Sequence, residues 1–396
     1  MEIRKDKTII DRILNKAVEE ILPSKEYLEA LLNSGKKLRI YQGFDPTAPT
    51  LHIGHTVMMR KLEDFRKLGH EVIFLIGNFT AMIGDPTDKK ATRQPLTQEQ
   101  VSENFKLYKE QASSLVDFND KENPVLVKYN NDWLGKLTFH EIIDLSSEFT
   151  VQQMIKRSMF QKRLEEDKPI GLHEFMYPLM QGFDSVAMDV DVELGGNDQL
   201  FNMLAGRTLM KSLKNKEKVV IAGKLLTTPD GKKMGKSEGN MIMLSDTPEN
   251  IYGKVMAFPD EHIVPGFELL TSAQLEEVQE IANEIKSGKN PMQYKKQLAL
   301  RLTSELKGED NGIKAQQYFE SIFQKRDYDT EIVEIKNTNK DILSFLVENS
   351  ITKSKGEGRR LLEQGAIKID DKKITTSEEV VINGILKVGK KVYKIV

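Results

Sequence analysis

Two short motifs in this chain combine residue types that bind and neutralise phosphate. The first is His52-Ile53-Gly54-His55, which sets two imidazoles around a glycine. The second, about 180 residues later, is the glycine- and lysine-rich run Gly231-Lys232-Lys233-Met234-Gly235-Lys236-Ser237. Taken singly, each motif is more typical of a solvated surface turn. Together they predict a site that holds a nucleoside triphosphate from two sides.

The first motif is placed to bind anions because a helix begins there. Apolar residues recur at helical spacing directly after it, at Val57, Met58, Leu62, Phe65 and Leu68. A helix N-terminus offers unpaired backbone N–H groups and the positive end of the helix dipole. Gly54 lets a flat base approach the backbone, and the two imidazoles can donate to phosphate oxygens as charge develops. In the second motif, Lys233 and Lys236 can neutralise pyrophosphate.

A third set of polar residues shares one helix face. Tyr177, Gln181 and Asp184 are spaced i, i+4 and i+7. An ordinary solvated face would have the same spacing. Large apolar residues surround this set, at Phe175, Leu179, Phe183, Val186 and Met188. The surroundings therefore favour a polar wall inside a cavity.

Parallel strands position these residues. Residues 38–42 and 71–76 have the composition of buried strands and flank the helix at 54–68, which predicts a βαβ unit and a parallel sheet. Ligands of such sheets bind at the carboxyl ends of the strands. Tyr41 and Asp45 lie at or just after the end of the first strand, and Asp85 follows the second.

The remaining pattern predicts three units. Strands at 190–194 and 219–222 complete the sheet, and a mostly helical stretch at about 97–170 interrupts it. Residues 248–325 have helical spacing, 327–339 form a polar segment interpreted as a linker, and a helix–turn–helix with a compact β run follows. We therefore predict a catalytic α/β domain at 1–245, an all-α domain at 246–326 and a small α+β domain at 338–396.

Composition excludes several classes of protein. The chain has 396 residues with 39% hydrophobic and 30% charged side chains, as is typical of a globular protein. With no cysteine it has no disulfide, thiolate metal site or cysteine nucleophile, and its six histidines show no paired ligand spacing, so we expect no structural metal. No apolar run reaches membrane-spanning length and the N-terminus is charged, so we expect a cytoplasmic protein without a membrane partner.

Charge is distributed unevenly along the chain. Residues 338–396 contain 12 Lys and Arg against 8 Asp and Glu, a net charge of +4. Because the whole chain carries −2, the remainder carries −6. A small basic unit on an acidic body predicts that nucleic acid meets the C-terminal unit.

Across nearly its whole length the chain resembles the class I aminoacyl-tRNA synthetases, and among them the bacterial tyrosyl-tRNA synthetases. His52-Ile53-Gly54-His55 matches the first family signature in full. Lys233 to Ser237 match the Lys-Met-Ser-Lys-Ser signature with Gly235 in place of the middle Ser. The C-terminal unit resembles the S4 RNA-binding domain. The resemblance implies a Rossmann-like parallel sheet with a helical dimerisation insertion, an α-helical anticodon-binding domain, and an S4 domain.

The resemblance also implies roles for individual residues. His52, His55, Lys233 and Lys236 would be catalytic. The residues implied to bind ATP are Thr47, His52, Gly54, His55, Gly196, Asp198, Lys233, Met234, Lys236 and Ser237. Those implied to bind tyrosine are Tyr41, Asp45, Asp85, Tyr177, Gln181, Asp184 and Gln199. Within that set, Tyr41 and Asp184 would contact the phenolic hydroxyl, and Asp85, Tyr177 and Gln181 the ammonium group. Those implied to bind tRNA are Lys89, Arg93, Lys353, Lys355, Arg359 and Arg360.

The expected activity follows from these roles. The chain would activate tyrosine with ATP, which is a substrate accompanied by Mg²⁺, and transfer the tyrosyl group to the 3′ end of tRNA(Tyr). No tightly bound cofactor is implied. A homodimer is expected through the insertion near 137–155, whose apolar residues are Leu137, Phe139, Ile142, Ile143, Leu145 and Phe149. Two alternatives stay open: a tryptophan enzyme of the same subclass and a non-catalytic RNA-binding paralogue.

Overall fold

The computed structural model describes residues 2–85, 97–227, 241–325, 333–338, 340–370, 372–379, 381, 383–389 and 391–396. The strands are β1 Val18–Leu22, β2 Arg39–Phe44, β3 Glu71–Ile76, β4 Leu126–Tyr129, β5 Val192–Gly196, β6 Val219–Gly223, β7 Val333–Ile335, β8 Ile367–Ile369, β9 Lys372–Lys373, β10 Gly384–Val388 and β11 Lys391–Ile395.

Helices make up most of the rest. They are α1 Lys7–Asn15, α2 Lys25–Asn33, α3 Ile53–Lys67, α4 Thr80–Ile83, α5 Gln98–Phe105, α6 Tyr108–Ala112, α7 Asn131–Leu134, α8 Phe139–Ser147, α9 Val151–Ile155, α10 Ser158–Glu165, α11 Met176–Met188, α12 Leu200–Lys214, α13 Pro248–Met256, α14 Ile263–Leu270, α15 Leu275–Lys286, α16 Pro291–Lys307, α17 Glu309–Phe319, α18 Ile342–Glu348 and α19 Lys355–Glu363. Among the described residues, no helix is both long and apolar enough to cross a membrane.

The first six strands form one twisted sheet in the order β1-β6-β5-β2-β3-β4. Strands β2 to β6 run parallel, and β1 joins the edge antiparallel to β6. The chain proceeds outward from β2 to β3 and β4, then returns to β5 on the other side of β2. The point between β2 and β5 is therefore the topological switch point, where parallel sheets bind ligands.

Both faces of the central strands are buried, and successive residues enter different cores. Ile40 and Phe74 belong to the core that includes α3. Their neighbours Tyr41 and Ile73 belong to a cluster with Met188 of α11 on the opposite face. Burial on both faces explains why these strands are near-continuous apolar runs. The four strands that the sequence predicted are the four central ones, β2, β3, β5 and β6, and the predicted fold class is confirmed.

The helices after the sheet share its core. One cluster of buried residues extends from Ile10 in α1 to Ala315 in α17, and it includes Ile251 of α13 and Leu298 of α16. The basic residue Lys16 adds a polar tie, because its buried ammonium donates to the carbonyl of Thr271 over 2.7 Å. The division at residue 245 stays a prediction, and it separates segments that pack on one core.

The C-terminal unit has a core of its own. Its strands form a sheet in the order β7-β11-β10-β8-β9, covered by α18 and α19. Strand β7 pairs in parallel with β11, with Ile335 opposite Ile395. The interpretation of 327–339 as a linker was therefore wrong for Val333–Ile335, because three residues of that polar segment complete the sheet. The compact β run predicted for this unit includes a strand at 380–382, of which Val380 and Ile382 lie outside the described residues.

Candidate active site

A cavity of about 280 Å³ opens at the switch point, at the carboxyl ends of β2, β3 and β5. Among the residues that line it are thirteen that the sequence analysis named: Tyr41, Asp45, Thr47, His52, Gly54, His55, Asp85, Tyr177, Gln181, Asp184, Gly196, Asp198 and Gln199. The chain brings them together from positions up to 158 residues apart. The site is therefore built by the fold as a whole.

The two histidines form the cap of α3. The His52 ring accepts from the Gly54 N–H over 3.1 Å through Nδ1, and His55 Nδ1 accepts from the His52 N–H over 3.0 Å. The rings stack with centroids 3.8 Å apart. Because Nδ1 accepts in both rings, the hydrogen of each neutral imidazole lies on Nε2. Each ring can therefore donate from Nε2 to an anion at the helix N-terminus.

The segment that follows the lysine-rich motif is tied to this helix end. His52 and Met243 form an antiparallel bridge, in which the Ile53 N–H donates to the Ile242 carbonyl over 2.9 Å. The Lys254 ammonium donates to the Met241 carbonyl over 2.8 Å. Four residues predicted from the second motif lie outside the described residues: Lys233, Met234, Lys236 and Ser237. The segment that follows them in the chain, which includes Ile242 and Met243, is paired with the N-terminus of α3.

One end of the cavity is built around the buried carboxyl of Asp184. Its Oδ1 accepts from the Trp133 indole N–H over 2.7 Å, and its Oδ2 accepts from Asn130 Nδ2 over 3.3 Å. Burial raises the pKa of Asp184 well above its ordinary value, and the two donors oppose that shift. Burial likewise raises the pKa of the nearby Tyr41 hydroxyl, aided by the carboxylates of Glu193 and Asp184. This end of the cavity can therefore form hydrogen bonds with one hydroxyl group of a ligand.

At the cavity's polar wall, three acceptor oxygens surround a single amide. Asn202 Nδ2 donates to Gln181 Oε1 over 2.9 Å, to Gln199 Oε1 over 3.1 Å and to Asp85 Oδ2 over 3.2 Å. Two amide hydrogens thus serve three acceptors, which leaves acceptor capacity for a cation with several N–H groups. Asp85 also receives the Arg157 guanidinium at 2.8 Å. Gly84, at φ +81°, ends α4 and turns the chain so that Asp85 reaches the cavity.

Asp45 links the strand ends. The Tyr177 hydroxyl donates to its Oδ2 over 2.7 Å, and the Thr80 hydroxyl donates to its Oδ1 over 2.7 Å. A Cβ at Gly77 would collide with both the Asp45 carboxylate and the Thr80 hydroxyl. The backbone of β3's end therefore approaches this carboxylate in a way that only glycine permits.

The opposite side of the cavity is formed by the turn after β5. Asn197–Gln199 form one 3-10 turn that places Asp198 and Gln199 on the cavity wall. A Cβ at Gly196 would lie 2.6 Å from Asp198 Oδ1. The missing side chain leaves room here for a flat group to approach the backbone.

Several functional candidates were missed in the sequence. Some contact the cavity residues directly or line the cavity themselves: Asn130, Trp133, Arg157, Ser185, Glu193, Asn202 and Lys218. One available signal was Glu193, a charge inside the apolar run of a central strand. Its partner Lys218 lies 25 residues later, directly before the next strand, β6. A charge inside one buried strand and an opposite charge beside the next could have predicted a pair.

The predicted tRNA contacts divide in two. Lys353, Lys355, Arg359 and Arg360 are exposed on and just before α19. Ser354 caps that helix, because its side chain accepts from the Glu357 N–H. Lys89 and Arg93 lie outside the described residues. The structure thus presents a basic surface on the C-terminal unit.

The class of this protein follows from comparison with known families. Residues 33–324 match the model of the tRNA synthetases class I (W and Y), and residues 322–396 match that of the Tyrosine–tRNA ligase SYY-like C-terminal domain. The chain belongs to the class I tRNA synthetases. Within that class, it belongs to the tyrosine–tRNA ligase family.

Similar proteins cover almost the whole chain. A tyrosine–tRNA ligase of Carboxydothermus hydrogenoformans is 42% identical over 397 residues, covering 97% of this chain and 94% of that protein. One from Thermotoga maritima is 42% identical over 392 residues, covering 97% and 96%. Among solved structures, the tyrosyl-tRNA synthetase of Archaeoglobus fulgidus complexed with L-tyrosine has a TM-score of 0.61 at 21% identity, covering 79% of this chain and 100% of that one. That likeness supports the fold.

Proposed function

We propose that this protein is a tyrosine–tRNA ligase. It activates tyrosine with ATP to form tyrosyl-adenylate and pyrophosphate, then transfers the tyrosyl group to the 3′ end of tRNA(Tyr). The observation that supports this best is the cavity itself, which holds a hydroxyl-binding pair at one end and two histidines at a helix N-terminus at the other. Family membership over the full chain supports the same activity.

The chemistry requires no nucleophilic side chain. A tyrosine carboxylate oxygen attacks the α-phosphorus of ATP, the bond to the bridging oxygen of pyrophosphate breaks, and pyrophosphate leaves. A ribose hydroxyl of the terminal tRNA adenosine then attacks the activated carbonyl, and AMP leaves. Catalysis is positioning together with stabilisation of charge on the phosphate oxygens. We assign that stabilisation to His52, His55, Lys233 and Lys236, and Mg²⁺ accompanies ATP as part of the substrate.

The substrate contacts follow the cavity. Tyr41 and Asp184 bind the phenolic hydroxyl. The ammonium group lies at the acceptor cluster of Asp85 and Gln181, with Tyr177, and Gln199 lies near the carboxylate. Asp45 borders the tyrosine and the ribose. The nucleotide side is formed by the α3 N-terminus with Thr47 and Gly54, by Gly196 and Asp198, and by the motif containing Met234 and Ser237.

Pyrophosphate exchange with different amino acids tests the activity. Tyrosine should support exchange of labelled pyrophosphate into ATP, whereas tryptophan and phenylalanine should not. An indole cannot engage both Tyr41 and Asp184, and a phenyl ring offers neither of these buried groups a hydrogen bond. Exchange with tryptophan would establish the alternative enzyme of the subclass, and no exchange with any amino acid would favour a non-catalytic paralogue.

One substitution can separate the catalytic role proposed for His55 from its role in capping α3. In His55→Asn, the amide oxygen can take the place of Nδ1 and keep accepting from the His52 N–H, while the Nε2–H donor is lost. We expect the rate of adenylate formation to fall about 100-fold, as for loss of one transition-state donor, with little change in tyrosine affinity. Stopped-flow measurement of adenylate formation checks this, and an equal loss of affinity and rate would contradict it.

Quaternary structure and partners complete the proposal. We propose a homodimer formed through α8 and α9, because Phe139 is 78% exposed and Val151 is 65% exposed on neighbouring helices. The S4-like unit binds tRNA through Lys353, Lys355, Arg359 and Arg360, and Lys89 and Arg93 bind its acceptor end. The helical segment 246–326 meets the anticodon. We place the protein in the cytoplasm, where ATP and tRNA are found.

A further inference from the structure

A buried ion pair lies directly behind the cavity wall. Glu193 in β5 is 1% exposed, and Lys218, the residue before β6, is fully buried. The Lys218 ammonium and Glu193 Oε2 form both a hydrogen bond and a salt bridge. A charge pair this deep is often replaceable by apolar residues without loss of stability. Its position, with Glu193 on the cavity wall, suggests what else it does.

The pair contacts both ends of the tyrosine site. Glu193 Oε1 accepts from Gln181 Nε2 over 3.0 Å, which connects it to the acceptor cluster. Lys218 Nζ also donates to Ser185 Oγ over 3.0 Å. Ser185 Oγ in turn lies 3.1 Å from the Tyr41 hydroxyl. One carboxylate and one ammonium thus reach a residue assigned to the substrate ammonium and a residue assigned to its phenol.

The carboxylate fixes which way the Gln181 amide faces. An ionised carboxylate accepts and cannot donate, so only the NH₂ end of Gln181 can face Glu193. The carbonyl oxygen must then face Asn202, beside Asp85 and Gln199. That orientation adds an acceptor where the substrate ammonium is assigned. With the amide reversed, an NH₂ group would meet a cation.

The ammonium acts in the same way on Tyr41. Lys218 can only donate, so the oxygen of Ser185 accepts from it. The single hydroxyl hydrogen of Ser185 then has the Tyr41 oxygen at 3.1 Å and Glu193 Oε2 at 3.4 Å. When Ser185 donates to the closer oxygen, the Tyr41 hydroxyl keeps its own hydrogen for another acceptor, for which the Glu193 carboxylate and a ligand in the cavity compete. A phenol can then accept from Tyr41 and donate to Asp184.

We propose that Glu193 and Lys218 are a positioning pair, which sets the hydrogen-bond direction of Gln181 and Tyr41 so that the pocket selects a ligand with both an ammonium and a phenol. This inference rests on the proposed function for the identity of the ligand. Neither residue touches the substrate in this role. The pair acts through Gln181 and through Ser185 and Tyr41.

The variant Glu193→Gln gives the sharpest test because it changes charge and hardly changes shape. Lys218 would hold the new carbonyl oxygen, leaving the new NH₂ group facing Gln181. The Gln181 amide must then turn and present its NH₂ group to the ligand. Two probes report this: tyramine, which has the ammonium and the phenol, and 3-(4-hydroxyphenyl)propionate, which has the phenol and lacks the ammonium.

Binding can be followed through the chain's one tryptophan, since Trp133 donates directly to Asp184. We expect wild-type protein to bind tyramine more tightly than the propionate. In Glu193→Gln the ratio of their dissociation constants should move about tenfold against tyramine, which is about 1.4 kcal/mol. A structural defect alone would weaken both ligands by similar factors and leave the ratio unchanged.

Ser185→Ala tests the other branch and is a mild change. It should leave the first ratio unchanged and reduce the preference for tyramine over phenethylamine, which lacks the hydroxyl, by about tenfold. If Glu193→Gln does not fold, the double variant Glu193→Gln, Lys218→Met removes both charges and should still reduce the ammonium preference. A control is the double variant Arg12→Met, Asp64→Asn, which removes a partly buried pair joining α1 and α3 and should change neither ratio.

The outcomes separate the two proposals. Unchanged ratios in both the Glu193 and the Ser185 variants would overturn the positioning role, as would a wild-type protein that binds tyramine no better than the propionate. Absence of tyrosine-dependent pyrophosphate exchange in the wild type would instead overturn the proposed function. In that case the ratios of the ligand dissociation constants would still decide whether Glu193 and Lys218 direct the hydrogen bonds in the cavity.

Discussion

Asp184 illustrates how a buried side chain acquires selectivity at the scale of a single residue. It is 2% exposed, and the donors Trp133 and Asn130 occupy part of its acceptor capacity. A ligand hydroxyl can supply a further hydrogen, and a ligand without one leaves the group unmatched inside the protein. Sites of this kind reject the analogue that lacks the polar group far more strongly than apolar pockets reject a missing methylene, and the tyrosine enzymes are the standard illustration of that rule.

The corresponding prediction concerns Asp184→Asn. The carboxamide keeps the size of the side chain and can still accept from Trp133, but it loses one acceptor oxygen. We expect kcat/KM for tyrosine in pyrophosphate exchange to fall about 10- to 150-fold, because a hydrogen bond to a charged group contributes roughly 1.5–3 kcal/mol. The preference for tyrosine over phenylalanine should narrow by a similar factor.

A matched control lies on the same helix end. Asp189→Asn makes the same chemical change at a side chain that is 55% exposed and pairs with Lys216. It should leave both activity and preference unchanged. If the ratio of kcat/KM for tyrosine to kcat/KM for phenylalanine is unaltered in Asp184→Asn, this residue does not recognise the ligand hydroxyl.

Residue patterns predicted the parts of the site that follow local geometry. The spacing of Tyr177, Gln181 and Asp184 places them on one face of α11, and His52 and His55 cap α3 as their position before an apolar stripe suggested. Contacts between residues far apart in sequence could not be predicted this way. Arg157 reaches Asp85 across 72 residues, and Asn202 reaches it across 117. Such pairs depend on how helices pack, which single-sequence periodicity does not encode.

Whether a strand could be predicted from the sequence depended on whether it is buried on both faces. The central strands were predicted because burial on both faces requires continuous apolar runs. The edge strands β1 and β4 were not, since β1 contains two exposed glutamates, and β4 is only four residues long and lies in the stretch that the sequence pattern predicted to be mostly helical. Edge strands bury one face only and carry polar residues that resemble loops. Strand β7 was missed in the same way, because it lies in a polar segment.

The junction between α3 and β3 contains a buried histidine with consequences for stability. His70 Nδ1 accepts from the Leu38 N–H over 3.2 Å and so ties this turn to β2. Its Nε2 is buried and has no hydrogen-bond partner among the described residues. Burial lowers the pKa of His70 from 6.5 to about 4, with Asp191 opposing that shift and Lys37 adding to it. Protonation at Nε2 would place a charge in the core.

The pH dependence of unfolding should report this histidine. Between about pH 6.5 and about pH 4 the unfolded chain binds a proton at His70 and the folded chain does not, so the free energy of unfolding falls as pH falls through that window. The full loss is roughly 3 kcal/mol. In His70→Asn the amide oxygen can replace the Nδ1 acceptor without titrating. Urea unfolding at several pH values gives the free energy of unfolding as a function of pH. That free energy should depend less steeply on pH in the variant than in the wild-type protein.

Carboxylates also titrate in this range, so the difference between the two proteins is the informative quantity. The gap in unfolding free energy should change steadily from pH 7 to pH 4 in favour of the variant. A constant gap across the window would show that His70 does not control this dependence.

The exposed apolar surface of the whole molecule indicates where a second copy binds. Phe139 and Ile143 lie on α8 at 78% and 51% exposure, whereas Leu145 of the same helix is buried. One face of α8 thus packs inward and another remains apolar and uncovered. Replacing both with glutamate, Phe139→Glu with Ile143→Glu, should convert a dimer to a monomer by introducing like charges into a symmetric contact.

Light scattering at micromolar concentration measures the result. Wild-type protein should have about twice the mass of the variant. Met292→Glu, at a 45% exposed methionine on α16, is the control and should stay dimeric. A monomeric wild type, or a variant that keeps the wild-type mass, would show that this face is not the dimer interface.

The separate core of the C-terminal unit predicts that the two chemical steps can be separated. The largest core cluster and the residues packed against it end at Phe319, and the S4-like core begins at Ile335. A chain ending at Lys325 should therefore fold and form tyrosyl-adenylate at the full-length rate. It should charge tRNA poorly, because the phosphate contacts assigned to Lys353, Lys355, Arg359 and Arg360 are gone. With fewer contacts, its tRNA affinity should also decline less steeply with salt.

The control is the full-length variant in which these four residues are changed to alanine. It should reproduce the charging defect while keeping the folded C-terminal unit. Charging at the full-length rate by both proteins would refute the RNA-binding role, and loss of pyrophosphate exchange in the shortened chain would show that the catalytic core needs its C-terminal neighbour.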